Sequence, residues 1–253
     1  MISYASIASP RRDRAILVGA LGLAAGVAWV GLWLWESSPF GRFLHHAGGS
    51  APLAVEAGLF AAGWALMIVA MMLPTSIPLV VTFAAIVRGR PHRTRLVALV
   101  VVGYLLTWTA FGLVAYVADR GIHWTVDAVP WLSEHPQLII GATLLVAGLY
   151  QFSALKYRCL DECRSPFGFI VGRWHATQPA REAFGMGVAH GAFCIGCCWS
   201  MMLVMFGVGL GSLAWMIGLG TVMAIEKNAT WGRRISRPLG VALVLAAVAA
   251  VSV

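Results

Sequence analysis

Apolar residues run along this chain in stretches too long for the buried face of a soluble helix. The stretches are Ala15 to Trp35, Leu53 to Val87, Leu96 to Ala118, Pro136 to Leu155, Ala183 to Gly209, Leu213 to Ile225 and Pro238 to Val253. At 1.5 Å per residue, about twenty apolar residues cross the roughly 30 Å hydrocarbon layer of a bilayer. The pattern therefore predicts an all-α, polytopic transmembrane helix bundle of about seven spans. The count is six if the last stretch, about sixteen residues long, does not cross. Residues 1–253 read as a single transmembrane domain, with a polar arm over 1–14 and a Cys-containing polar segment over 156–182. The first apolar stretch is of spanning length and lacks a small-residue cleavage site, so it reads as a retained span.

The second stretch is too long for one straight crossing and is interrupted by Pro74 and Pro78. It is either one kinked helix or a hairpin, and charge decides between them. With a single crossing, all of the 18 Lys and Arg except Arg42 and Arg120 fall on the side of the N-terminus. A hairpin would place Arg88, Arg90, Arg93 and Arg95 on the opposite side, against the positive-inside rule. The single kinked helix follows, with a cytoplasmic N-terminus. Each proline also removes a backbone donor, so carbonyls near Ala70 and Pro74 need other partners.

Composition sharpens the class. The chain is 60% hydrophobic and 11% charged, whereas soluble domains are nearer about 45–50% apolar and about 25% charged. Its net charge of +8 is spread over short clusters between apolar runs. Such clusters orient spans rather than bind a polyanion, so no nucleic-acid partner is expected. No Walker loop or dinucleotide-binding glycine pattern is present and no catalytic residue is assigned, so an ordinary enzyme is less well supported than a binding protein.

Candidate chemistry sits in the fifth span. At 100° per residue, Cys194 lies about 40° from His190, Cys197 about −20° and Cys198 about 80°, all on one helix face. Met186, Met201 and Met205 fall on or near that stripe. Imidazole, thiol and thioether suit copper(I), zinc and iron rather than magnesium or calcium. Cysteine and methionine also serve as ordinary packing residues in membrane helices. Against that, three of the five cysteines fall within five residues, beside a histidine, and an imidazole in hydrocarbon needs a partner or a task.

Geometry limits this set. His190 and Cys198 are two turns apart, so four ligands from one straight helix cannot share one ion. Either the helix breaks near Gly196 or another span contributes. A second pair, Cys159 and Cys163, lies four residues apart before Pro166, a poor spacing for a disulfide within a helix. It offers soft ligands at the cytoplasmic mouth. Met201, Met205 and Met71 are candidates for a pathway, with Pro74 expected to turn Met67 and Met71 toward Cys197.

Met71-Met72-Leu73-Pro74, Cys159…Cys163-Arg164-Ser165-Pro166 and His190-Gly191…Cys194-Ile195-Gly196-Cys197-Cys198-Trp199 together resemble a bacterial family. It is the family of predicted metal-binding integral membrane proteins, a domain of unknown function. Trp215-Met216 and Glu226-Lys227 match its closing segment. The resemblance implies a multi-pass protein of the bacterial cytoplasmic (inner) membrane with a metal site, and no particular reaction. His45, His46, His123 and His135 lie outside the pattern and take no role from it.

Three readings stay open. The first is handling of copper(I), for transport or for delivery to a membrane metalloenzyme, with the lipid bilayer and a metallochaperone or that enzyme as partners. Here His190, Cys194, Cys197 and Cys198 form the central site, and Cys159 and Cys163 receive or deliver the ion. The second is an accessory membrane subunit with a structural zinc site. The third is a membrane thiol-disulfide oxidoreductase using Cys194 and Cys197. Glu226 reads as a paired interfacial charge.

Overall fold

The computed structural model describes residues 10–38, 52–208 and 212–252, and among them all regular structure is helical. Helix α1 (Pro10–Glu36) is followed by α2 (Leu53–Met67), a π-helical turn (Ile68–Met72), α3 (Leu73–Thr75) and α4 (Ile77–Ile86). Then come α5 (Arg93–Ala128), α6 (Pro130–Ser133), α7 (Pro136–Tyr150), α8 (Ala154–Arg164), α9 (Pro166–Val171) and α10 (Pro179–Val208). Helix α11 (Leu213–Asn228), a 3-10 turn (Gly232–Ile235) and α12 (Ser236–Ser252) close the chain. The loop with His45 and His46 and the glycines Gly209 and Gly211 lie outside the described residues.

Five helices are long and apolar enough to cross a membrane, or six when α7 and α8 count as one broken span. The doubtful element differs from the one the hydropathy pattern suggested. The closing 3-10 turn and α12 together make a 21-residue apolar segment. Helix α11 has only 16 residues, about 24 Å, so it falls short of a roughly 30 Å hydrocarbon layer.

Ion pairs define the two ends of the bundle. Asp13 at the start of α1 pairs with Arg93 at 2.9 Å and Arg88 at 3.4 Å. Arg90 lies over the Trp174 ring, and Arg233 reaches Asp161 at 3.1 Å. Glu56 at the start of α2 instead pairs with Arg120 of α5 at 3.0 Å, at the other end. The segment between Glu56 and Arg88 therefore traverses the bundle once. A hairpin would have separated Arg88 from Asp13.

Helix α10 is the central post, packed most extensively on α5 and also on α8 and α7, while α12 covers α7. Glycine sets the closest of these contacts. A Cβ on Gly187 would run into the Val100 carbonyl, and one on Gly103 into the Phe184 carbonyl. The α5 and α10 backbones therefore touch directly, as small residues allow between apolar helices.

Two departures from regular helix shape the interior. At the Met71-Met72-Leu73-Pro74 stretch the Leu73 amide bonds back to the Ile68 carbonyl, five residues earlier. Pro74 supplies no donor of its own. The Met72 carbonyl takes the Thr75 hydroxyl at 2.7 Å and the Tyr104 hydroxyl at 3.2 Å. The fourth span is broken as well: α7 and α8 meet at 64°. Ser153 adopts extended backbone there, and its hydroxyl caps α8 by accepting the Lys156 amide at 3.1 Å. The bend turns polar α8 back across α10.

Candidate metal centre

Helix α10 does not break at Gly196; it runs continuously from Pro179 to Val208. The glycine serves close approach instead. A Cβ there would lie 2.5 Å from the Cys159 sulfur, so α8 sits directly on α10 at this level. One turn further along α8, the Cys163 thiol interacts with the thiols of Cys194 and Cys197. The bend thus carries one member of the second cysteine pair into the first group, while Cys159 stays against Gly196. All five cysteines are free thiols.

Cys194 is the hub. Its sulfur, fully buried, lies 2.8 Å from the Lys227 ammonium and 3.1 Å from the Tyr104 hydroxyl. The thiols of Cys163, Cys197 and Cys198 lie near it. Cys197 and Cys198 are anchored by their own helix, their thiols donating to the Cys194 carbonyl at 3.1 and 2.9 Å. The Lys227 ammonium also reaches the Thr75 hydroxyl at 3.3 Å and the Met72 thioether at 3.8 Å. Thiol, thioether, hydroxyl and ammonium groups from α3, α8, α10, α11 and the π turn therefore meet in one buried cluster.

His190 lies beside this cluster. Its Nε2 is 3.2 Å from the Ser76 hydroxyl, and its ring rests against Tyr104 and Phe169, with centroids at 5.6 and 5.5 Å. The buried Nδ1 has no hydrogen-bond partner among the described residues. Met201 and Met205 are buried on α10. Met71 is buried too but packs on Gly220 of α11, its methyl carbon 3.0 Å from where a Cβ would stand. Its neighbour Met72 touches the sulfur cluster through Lys227. The π turn inserts a residue's worth of rotation, and this shifts the phase that a regular helix would have given the two methionines.

Among the described residues, no three His, Cys, Asp or Glu side chains converge to hold an ion together.

A second buried polar group adjoins the first. The Lys156 ammonium lies 2.8 and 2.9 Å from the two Glu226 oxygens, and its third partner is the side-chain amide oxygen (Oε1) of Gln151. Ser236 donates to Glu226 at 2.6 Å. Glu226 is paired, as expected from its sequence setting, but deep in the fold at 2% exposed. A buried ion pair survives only when its remaining donors and acceptors are satisfied.

Lys227, Tyr104 and Thr75 were not among the sequence-derived site residues. Their signal was faint: a charged dipeptide ending a helix one turn too short to span. His123 and His135 turn to backbone carbonyls of Asp119 and Trp131, four residues earlier in each case.

A family model described as PpoB2, copper chaperone, matches residues 61–250. No curated protein and no solved structure matches the chain.

Proposed function

The chain belongs to the PpoB2 copper chaperone family, and on that premise we propose that it carries copper(I) as cargo in a bacterial inner membrane. The ion is held by Cys194 together with one of Cys163, Cys197 and Cys198, and is passed on to a membrane or exported copper enzyme. The N-terminus and the Cys159–Cys163 segment face the cytoplasm, because the basic end of the bundle collects nearly all the Lys and Arg. The observation that carries this reading is the buried Cys194 sulfur held between Lys227 and Tyr104.

The chemistry follows from that setting. A thiolate is the form that binds a metal, and a buried ammonium at 2.8 Å supplies its counter-charge. Copper(I) accepts soft sulfur ligands and tolerates low coordination numbers. Neighbouring thiols let the ion move by exchanging one sulfur for another, so Cys163 on the α8 side is the natural handover ligand. His190 supports the site through its unpartnered Nδ1.

Metal analysis of the detergent-purified protein after loading under reducing conditions tests the reading. About one equivalent of copper(I) is expected. Stoichiometric zinc that resists chelators points instead to a structural site. No metal, with a disulfide joining Cys194 and Cys197, points to thiol chemistry.

A further inference from the structure

We propose that Lys227 is a charge-selection residue, which makes the Cys194 site accept monovalent soft cations and reject divalent ones. This rests on the copper-handling reading above and goes beyond it by assigning the basis of selectivity.

The observation is an imbalance between two neighbouring lysines. Lys156 has a carboxylate, with Glu226 reaching it through both oxygens. Lys227, next in sequence to that same glutamate, has no carboxylate partner among the described residues. Its ammonium is buried and contacts the Thr75 hydroxyl, the Met72 thioether and the Cys194 sulfur. A lone buried cation is costly. It is stable here because the group beside it becomes an anion when it acts as a ligand.

Charge balance then fixes which cargo fits. A sulfur pair bound to a metal contributes two negative charges, and Lys227 contributes one positive charge. One monovalent ion brings the sum to zero. A divalent ion on the same pair leaves one uncompensated positive charge in a buried site. Closing that deficit needs a third thiolate on the same ion, and no three such ligands converge among the described residues. Two like charges a few ångströms apart inside a protein repel strongly enough to shift a binding equilibrium by about a hundredfold. Softness alone does not separate copper(I) from cadmium(II), since both prefer sulfur. Lys227 separates them by charge.

The test compares silver(I) with cadmium(II), two soft ions that do not change oxidation state in air. Both are titrated against the full-length protein in detergent, reduced and metal-free, with a competing chelator for each. The wild type is expected to hold silver(I) and to exclude cadmium(II). In Lys227→Met, which keeps the side-chain volume and removes the charge, the silver-to-cadmium preference should fall by about a hundredfold. Lys227→Arg should retain it. An unchanged preference in Lys227→Met overturns the inference while leaving copper handling intact. Failure of the wild type to bind silver(I) or copper(I) overturns the functional reading itself. If Lys227→Met does not purify folded, the wild type still decides: equal retention of cadmium(II) and silver(I) contradicts charge selection.

Discussion

The Lys156 ammonium meets both oxygens of Glu226, at 2.8 and 2.9 Å, with neither side chain more than 2% exposed. This pair ties α8, which carries Cys163, to α11, which carries Lys227. Removing one partner strands a buried charge, at a cost of about 3–5 kcal/mol, whereas replacing both by apolar groups is often nearly neutral. Lys156→Met should therefore lower thermal stability in detergent markedly, and Lys156→Met with Glu226→Met should recover most of the loss. An additive double variant would show that the two residues do not act as a pair.

Close approach at Gly196 gives a second prediction. A methyl group there would overlap the Cys159 sulfur, so Gly196→Ala should destabilise the protein by about 1–3 kcal/mol, the usual range for overpacking. Cys159→Gly in the same chain should relieve it. Thermal unfolding of the single and double variants measures both effects.

Tyr104 should tune the site without creating it. Its hydroxyl bonds the Cys194 sulfur and the Met72 carbonyl, and one such bond contributes about 0.5–1.5 kcal/mol net. Tyr104→Phe is expected to weaken copper(I) binding by roughly two- to tenfold, read by chelator competition. Complete loss of binding would give the hydroxyl a larger role than a hydrogen bond supports.

The single passage through residues 53–87 was legible in the sequence because charge bias and hydropathy are whole-chain properties. The helical class and the buried sulfur stripe on α10 were legible for the same kind of reason, being periodic. What was not legible depends on breaks in that periodicity. The π turn sets the phase that places Met71 on Gly220 and Met72 at Lys227, and no periodic projection anticipates it. The bend at Ser153 carries Cys163 from the expected mouth of the bundle to Cys194. Lys227 was hidden because α11 was read as a span ending at an interface. At 16 residues it stops short, and its charged end lies in the protein interior.

Orientation can be checked from outside the cell. In a background with the native cysteines replaced, a cysteine at His123 should react with a membrane-impermeant thiol reagent in intact cells, and one at Thr177 should not. These positions stand at opposite ends of the bundle, and the basic end is assigned to the cytoplasm by charge. The reverse labelling pattern would invert the protein and place copper delivery on the other face.

The central claim is that Cys194 anchors the cargo, and the copper content of Cys194→Ser measures it most directly. The variant should be loaded with copper(I) under the conditions that fill the wild type, passed through a chelating column and analysed for metal. Serine keeps the fold's size and polarity while removing the soft ligand, so near-complete loss of retained copper is expected. Cys159→Ser, altered at the sulfur that packs on Gly196, should keep its copper. Full retention by Cys194→Ser would contradict the account and return the buried cysteines to packing.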